Sequence, residues 1–299
     1  MNDDNGYRLV DFGRGRKLES FAGWLVDRPC PAADHVQPRS ADAWGRSRAR
    51  FDAKKKQWSF PTASRQDDAP SLIDFGSLVM PFTPTPFGHV GVFPEQKGNW
   101  SWLAGGRVKT DSSQSSPTDL SSGLNLFAYT GASSIAMAKG GHAVAHVDAA
   151  KPNVNAARSA AKHNSLGDHP IRYLVDDALK FAKRECRRNQ DYQTIVLDPP
   201  AYGHSPNGKT WRLQRDLWPL LENCLKLFAE ESMRLLITGH SPQVTELDVV
   251  EYLRERVPSA NGYSAAQINR GLDAGRLTLC DRHGRKLDAG FSVRLDIQR

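Results

Sequence analysis

Two segments of the 299-residue chain join an apolar strand to residues that could hold a ligand. The first, residues 123–134, contains the turn Thr130-Gly131, and the second, residues 195–202, contains Asp198-Pro199-Pro200. A glycine directly after a strand lets the backbone approach a ligand, and the helix that follows offers free N–H groups. Two prolines remove N–H donors, so carbonyl oxygens and the Asp198 carboxylate are presented as acceptors. Ligands of open α/β sheets lie beyond the carboxyl ends of strands, so the pair predicts a cofactor site beside a reaction site.

Carboxylates also follow the next two predicted strands. Asp148 ends the second strand, where a carboxylate commonly accepts hydrogen bonds from both ribose hydroxyls of an adenosine group. Asp176 and Asp177 end the third strand, where a side-chain acceptor can meet the adenine amino group. Each carboxylate could instead cap the helix after it. Residues 130–134 contain one glycine, so the dinucleotide fingerprint is absent and S-adenosylmethionine (SAM) is favoured over NAD or FAD.

The segment Asp198-Pro199-Pro200-Ala201-Tyr202 suits activation of an exocyclic base amine. Two acceptors that hold the N–H groups of the amine would localise its lone pair and aim it at the sulfonium methyl. Tyr202 could stack on the base, and transfer would be a direct displacement accelerated mainly by alignment. A plain strand-ending turn is the alternative. Residues 203–211 are predicted to form a covering loop that carries His204, and His240, after the fifth strand, could face the same cleft.

The elements that must position these residues are repeated strand–helix units from residue 124 onward. Strands are predicted at residues 124–129, 143–147, 171–175, 194–197 and 234–238, with a closing antiparallel pair at 276–280 and 292–295. This pattern predicts an α/β fold with a Rossmann-like class I methyltransferase sheet over residues 87–299. Residues 1–86 have short apolar runs broken by Pro and Gly, which indicate a small β-rich or α+β module that could recognise substrate.

Composition limits the class of protein. A hydrophobic content of 39%, a charged content of 24% and no long apolar run are typical of a globular protein without a membrane span. Four scattered cysteines and a polar N-terminus favour a cytoplasmic location and no metal site. The net charge of +7 makes a polyanionic partner plausible. Trp44 and Trp58 lie among basic residues and could stack on bases, the alternative being a solvated basic face with buried tryptophans.

At these residues the chain resembles bacterial SAM-dependent methyltransferases akin to the 23S ribosomal RNA cytosine-5 methyltransferases with N-terminal PUA domains. The matching segments are residues 124–131, Val147-Asp148, Asp176-Asp177 and residues 198–202, and residues 91–100 are similar to the Gly-x-Phe-x-x-Gln segment of that family. The resemblance covers roughly residues 87–299 and implies that Phe93 and Gln96 border the cofactor. The full set of expected cofactor contacts is Phe93, Gln96, Asn125, Phe127, Tyr129, Thr130, Gly131, Asp148, Asp176 and Asp177.

Two departures from that family matter. The segment after the fifth predicted strand, Ile237-Thr-Gly-His-Ser241, lacks the cysteine nucleophile of the cytosine-5 enzymes, and residues 1–86 do not clearly match a PUA domain. Covalent attack on pyrimidine C6 is therefore not expected. We expect a SAM-dependent methyltransferase of RNA, ribosomal RNA by kinship, acting at a base nitrogen rather than at C5. The alternatives are a methyltransferase of a small molecule or protein on the same fold, and a non-catalytic nucleic-acid-binding protein. The sequence does not indicate the oligomeric state.

Overall fold

A computed structural model of the chain describes residues 6–60, 65–105, 120–204, 210–229 and 232–298. The chain divides into two compact units. The first contains Met1–Lys97 and Leu277–Ala289, and the second contains Gly98–Arg276 and Gly290–Arg299. The division expected at residues 86 and 87, with substrate recognition in the N-terminal part, stays a prediction.

The first unit is built on a five-stranded sheet. Its strands, in spatial order, are β1 (Tyr7–Gly13), β2 (Arg16–Phe21), β3 (Trp24–Pro29), β4 (Ala49–Asp52) and β5 (Gln57–Ser59). Neighbouring strands are antiparallel except β3 and β4, which are parallel and are joined through the short helix α1 (Ala41–Gly45). A hairpin of β6 (Leu72–Asp74) and β7 (Val79–Pro81) also belongs to this unit. The expectation of a small β-rich or α+β module is confirmed.

The tryptophans that the sequence places among basic residues are structural in this unit. Trp44 donates its indole N–H to Asp11 Oδ2 at 2.8 Å, and Trp58 donates to the Thr85 carbonyl at 2.7 Å. Both side chains are half-buried, whereas the three lysines at positions 54–56 are exposed. The alternative of a solvated basic surface with buried tryptophans therefore describes these residues better than a stacking platform does.

The second unit contains a seven-stranded sheet. The remaining strands in chain order are β8 (Ser121–Leu126), β9 (His142–Asp148), β10 (Ile171–Val175), β11 (Thr194–Leu197), β12 (Tyr202–His204), β13 (Thr210–Arg212), β14 (Ser232–Gly239), β15 (Leu272–Cys280) and β16 (Lys286–Gln298). The sheet order is β10-β9-β8-β11-β14-β16-β15, and β12 pairs separately with β13. The five strands from β10 to β14 are parallel, and β16 is antiparallel to β14. This order confirms the predicted Rossmann-like class I sheet.

Helices precede, connect and follow the parallel strands. They are α2 (Lys97–Ala104), α3 (Ala132–Lys139), α4 (Lys151–His163), α5 (Ala178–Arg187), α6 (Leu213–Leu225), α7 (Glu246–Asn261) and α8 (Ala265–Gly271). Their starts follow local signals: Asp177 caps α5, and Thr245 with Asp248 forms a capping box for α7. The sequence analysis does not predict α8, although Ser264 and Gln267 form a second capping box at its start. The helix expected from 214 to 230 ends earlier, at Leu225.

The central strands are buried on both faces, as parallel strands usually are. All four residues of β11 are buried. Leu124, Leu126, Ile195 and Leu197 belong to one hydrophobic cluster with side chains of α5, α6 and α7. No helix in the described part of the chain is long and apolar enough to cross a membrane. The same residues contain no group of three or more His, Cys, Asp or Glu side chains that could hold a metal ion.

The chain reverses its direction of travel across the sheet at β8. From β8 it proceeds outward to β9 and β10, and it then crosses back to β11 and continues to β14 on the other side. Leu126 pairs with Val147 on one side and with Leu197 on the other, and Leu197 pairs in turn with Ile237. The residues that follow these positions therefore lie in one row at the carboxyl edge of the sheet.

Gly131, at the start of α3, packs closely against α4. Its φ of +92° is in the left-handed region, and a Cβ added there would lie 2.8 Å from Ala157 Cβ. The sequence analysis predicts that this glycine lets the backbone approach a ligand. In the structure the absence of a side chain also lets α3 and α4 pack together.

Replacing Gly131 by Ala should lower the free energy of unfolding by about 2 kcal/mol, because the backbone conformation and the packing both oppose a Cβ. Urea unfolding would measure the change. Gly275→Ala is the matched control, since no atom lies within 4 Å of a Cβ added at Gly275. Equal stability of the two variants would contradict this account.

Two histidines of β9 are buried in the neutral form. His142 contacts the Met137 carbonyl through Nδ1 at 3.0 Å and Thr194 Oγ1 through Nε2 at 2.9 Å. Burial lowers the pKa of His142 to about 4, and burial lowers the pKa of His146 to about 3. Both imidazoles are therefore uncharged at neutral pH.

Acidification should destabilise the fold through these residues. An unfolded imidazole binds a proton near pH 6.5, whereas the folded ones do not until the pH approaches 4 and 3. The free energy of unfolding should thus fall by about 2 kcal/mol per histidine between pH 7 and pH 5. His146→Asn should remove its share of that fall in urea unfolding at the two pH values. The same pH dependence in the variant as in the wild type would refute the neutral buried state.

Candidate active site

The turn between β8 and α3 is strained. Phe127 and Tyr129 have φ values of 56° and 48°, in the left-handed region that non-glycine residues rarely adopt. For this reason β8 ends at Leu126, whereas the sequence analysis predicts that this strand ends at residue 129. Each such residue costs on the order of 1 kcal/mol, and backbone strain of this kind concentrates at ligand sites. Backbone hydrogen bonds from Ala128 N–H to the Val147 carbonyl and from Gly131 N–H to the Ala128 carbonyl hold the turn.

Asp148 fixes this turn from the neighbouring strand. Its Oδ2 accepts the Tyr129 N–H at 2.8 Å, and its Oδ1 accepts the Ala150 N–H at 2.9 Å and Asn153 Nδ2 at 3.0 Å. It does not cap α4, whose N-cap is Ala150. A carboxylate offers about four lone-pair sites, so the half-buried Asp148 can accept a further bond, most simply at Oδ2.

The first turn of α3 lies next to the strained turn. No described side chain caps this helix at its N-cap, Gly131. Thr130, which precedes Gly131, is half-buried. The uncapped N–H groups at a helix N-terminus favour an anionic ligand group.

The carboxylates of Asp176 and Asp177 accept hydrogen bonds from other groups of the protein. Asp177 caps α5 by accepting the Lys180 N–H at 2.9 Å. Asp176 accepts the Asp177 N–H through Oδ1 at 2.9 Å and Arg184 through Oδ2 at 2.5 Å. The helix-capping alternative left open by the sequence is therefore the one observed for Asp177.

Val175 is a residue of this edge that sequence reasoning missed. It ends β10 opposite Asp148 in the register and is 47% exposed, which is unusual for a large apolar side chain. Nothing in the local sequence separates it from the apolar residues before it. Its exposure is a consequence of its place at the end of the strand.

Asn125 lies deeper in the sheet than the other predicted contacts. It is 2% exposed, and its Nδ2 donates to Ser134 Oγ at 2.9 Å. Ser134 Oγ lies 3.0 Å from His146 Nδ1, so the three side chains link β8, α3 and β9. The structure thus places Asn125 behind the turn rather than at the open edge.

Phe93 and Gln96 belong to the first unit. Phe93 is half-buried, and its ring centroid lies 5.3 Å from that of His89. Gln96 is buried in the short 3-10 turn Pro94–Gln96. Their contact with a cofactor stays a prediction.

Asp198 follows β11 and contacts the end of β14. Thr238 donates its hydroxyl to Asp198 Oδ1 at 2.6 Å, and His240 Nε2 lies 3.9 Å from the same oxygen. Within the described residues no donor contacts Asp198 Oδ2 or the Pro199 carbonyl. The Pro200 carbonyl accepts the Trp211 indole N–H at 2.7 Å, and the Ala201 carbonyl accepts the Leu213 N–H at 3.1 Å. Two acceptors of the motif, Asp198 Oδ2 and the Pro199 carbonyl, therefore remain for a ligand.

The covering loop that the sequence predicts after this motif begins and ends in the two paired strands of a hairpin. Tyr202 pairs with Arg212 and His204 with Thr210 in β12 and β13, while residues 205–209 lie outside the described part of the chain. Tyr202 is 56% exposed, as a stacking platform would be. Trp211, at the other end of the hairpin, has its ring centroid 4.8 Å from that of Phe127. One indole thus joins the Asp198 motif to the strained turn.

Comparisons with known proteins bear on the fold and on the class of enzyme. No family model matches the chain. The ribosomal RNA large subunit methyltransferase K/L of Shewanella frigidimarina is 32% identical over 128 residues, 42% of this chain and 17% of that protein. The ribosomal RNA large subunit methyltransferase I of Alteromonas mediterranea is 31% identical over 80 residues, 26% of this chain and 20% of that protein. The matched segment thus spans only a fifth or less of these relatives.

Solved structures match almost the whole chain. A SAM-dependent methyltransferase from Agrobacterium tumefaciens superposes with a TM-score of 0.83 and 28% identity, over 99% of this chain and 91% of that one. A structure of a SAM-dependent methyltransferase from Streptococcus mutans has a TM-score of 0.68 and 15% identity, over 99% and 76% of the two chains, and supports the fold alone. The chain therefore has the class I methyltransferase fold and is related to SAM-dependent methyltransferases, among them the ribosomal RNA large subunit enzymes.

Proposed function

We propose that this protein is a SAM-dependent methyltransferase that methylates a base nitrogen of RNA, with ribosomal RNA as its substrate. The observation that carries the proposal is the hydrogen bonding of the two side-chain oxygens of Asp198. Thr238 holds one of its oxygens, and no donor among the described residues contacts the other oxygen or the Pro199 carbonyl. The strained turn and Asp148 follow the neighbouring strands in the same row. The names of the curated relatives support ribosomal RNA as the acceptor.

The residues at the carboxyl edge fit the parts of SAM. Asp148 Oδ2 can accept a ribose hydroxyl, the uncapped N-terminus of α3 suits the carboxylate of the methionine tail, and the exposed Val175 can cover the adenine. Asp148 ends β9 and Asp198 follows β11, and β8 lies between these two strands, so the two carboxylates lie roughly 10 Å apart. That separation leaves room for a nucleoside between them. When bound, SAM supplies a sulfonium methyl group as the electrophile.

The acceptor side favours an exocyclic amine. Such an amine has two N–H groups, which match the two open acceptors, Asp198 Oδ2 and the Pro199 carbonyl. A ring nitrogen has no N–H to give when its lone pair is the nucleophile, so both acceptors would stay unpaired at an energetic cost. Tyr202 can stack on the base that carries the amine. Displacement then depends mainly on alignment of the amine with the methyl group.

Methylation at pyrimidine C5 through a cysteine is not favoured. Cys30 belongs to the first unit, Cys186 lies in α5, Cys224 in α6 and Cys280 in β15, so none follows a parallel strand of the seven-stranded sheet. Burial also raises the pKa values of the Cys186 and Cys224 thiols, so a smaller fraction of each is in the nucleophilic thiolate form. A base nitrogen, which needs no covalent intermediate, is therefore the proposed target.

The charge of the chain supports a nucleic-acid substrate. The formal net charge is +7, and the exposed lysines at positions 54–56 can contact phosphates. A cytoplasmic location, inferred from the scattered cysteines, belongs to this proposal.

Substituting Asp198 and Asp148 should separate chemistry from cofactor binding. Asp198→Asn should lower kcat for methyl transfer by about 100-fold or more and change SAM affinity by less than about 2-fold. Asp148→Asn should weaken SAM binding by about 10-fold, because an amide cannot accept all three hydrogen bonds that hold the turn. Calorimetry with SAM and a methyl-transfer assay would measure the two effects. Glu255→Gln, at an exposed carboxylate on α7, is the control. Loss of SAM binding in Asp198→Asn would instead assign that residue to the cofactor.

Transfer of radiolabelled methyl from SAM to total RNA of a strain lacking this gene tests the substrate. Wild-type protein should label ribosomal RNA, Asp198→Asn should not, and nucleoside analysis should find the methyl group on an exocyclic nitrogen. Wild-type protein that binds SAM and labels no RNA would favour a small-molecule or protein acceptor.

A further inference from the structure

We infer that His240 takes the proton of the reaction from Asp198 and that Thr238 is the residue that positions Asp198. The inference rests on the methyl transfer to an amine proposed above. It concerns the proton that such a transfer must release.

Thr238 lies level with Asp198 on the neighbouring strand. Leu197 pairs with Ile237, so the next residues of β11 and β14 face each other, and Thr238 is only 2% exposed. Its hydroxyl donates to Asp198 Oδ1 at 2.6 Å. Because this bond occupies Oδ1, Oδ2 is the oxygen left for the substrate.

His240 approaches the same carboxylate oxygen as Thr238. Its Nε2 is 3.9 Å from Asp198 Oδ1, and its side chain is 40% exposed. After a shift of about 1 Å, the O–H of a protonated Asp198 can donate a hydrogen bond to the lone pair of His240 Nε2, and catalytic contacts are often long before substrate binds. Its exposure allows the imidazole to pass a proton on to water.

The backbone before His240 is fixed by the closing strand β16. A Cβ added to Gly239 would lie 2.5 Å from the Phe291 ring. Gly290 has a φ of +98°, and a Cβ there would lie 2.2 Å from the Gly239 carbonyl oxygen and 2.7 Å from His240 Nδ1. Two glycines thus let the strands approach closely enough to set the place of the imidazole. The position of His240 is a property of the sheet rather than of a free loop.

The chemistry of an amine acceptor requires such a group. Formation of the new N–C bond, with the C–S electron pair left on sulfur, gives the nitrogen a positive charge. Neutrality returns when an N–H bond breaks and its electron pair stays on nitrogen. The proton forms an O–H bond with Asp198, passes to the lone pair of His240 Nε2 and leaves to water. Imidazole is the most frequent general base in enzymes at neutral pH.

Chemical rescue tests this role. His240→Ala should lower kcat by about 100-fold, while RNA affinity by fluorescence anisotropy and S-adenosylhomocysteine affinity by calorimetry change by less than about 2-fold. Added imidazole should restore activity by about 10-fold or more. His163→Ala, at an exposed histidine on α4, should keep full activity and gain nothing from imidazole. His240→Gln, which keeps a polar side chain of similar size, serves if the alanine variant does not fold.

The positioning role of Thr238 has its own comparison. Thr238→Val should lower kcat about 10-fold or more with little change in KM for RNA, whereas Thr238→Ser, which keeps the hydroxyl, should restore most of the rate.

Three results would overturn the inference. They are full activity in His240→Ala and His240→Gln, a loss of activity without imidazole rescue that accompanies weakened binding, and equal rates in the Val and Ser variants of Thr238. Wild-type protein that transfers no methyl to RNA would instead refute the proposed function, and the inference with it.

Discussion

In the second unit, β8 and β11 pair in parallel with Leu126 opposite Leu197, and the arrangement of the candidate site depends on this pairing. The chain leaves β8 toward one side of the sheet and returns to β11 on the other. The two connections therefore diverge above the carboxyl ends, and the space between them is where open α/β sheets bind ligands. All of β11 and the last four residues of β8 are buried, so a change in register would expose apolar side chains and is strongly disfavoured.

The strain of the β8–α3 turn is balanced by contacts from several elements. Asp148 accepts the Tyr129 N–H, and Trp211 packs on the Phe127 ring while it donates to the Pro200 carbonyl. Each contact comes from a different segment, so the turn keeps its shape only in the folded unit. The same contacts tie the proposed cofactor side to the proposed acceptor side, since Trp211 touches both.

The proposed acceptor side suits hydrogen bonding and proton removal better than covalent attack. The end of β14 supplies a hydroxyl and an imidazole to Asp198, and no cysteine follows a parallel strand at this edge. An exocyclic amine needs acceptors and a route for one proton, and this set of groups offers both. A carbon nucleophile would need a thiolate instead. The polar groups at one strand end therefore argue for nitrogen as the methylated atom.

The sequence by itself determined the order and kind of the strands in the seven-stranded sheet. The strands at residues 171–175 and 194–197 have the predicted bounds, because short apolar runs between polar breaks are local signals. The strand-end position of Asp198 followed from the same pattern. Only the tertiary structure decided which hydrogen-bond partners these residues have. Arg184 donates to Asp176, Trp211 donates to the Pro200 carbonyl, and Thr238 donates to Asp198 and orients it. The last of these partners lies 40 positions away in sequence and arrives through strand register. Register depends on which strands pair across the whole sheet, and no local pattern of residues encodes it.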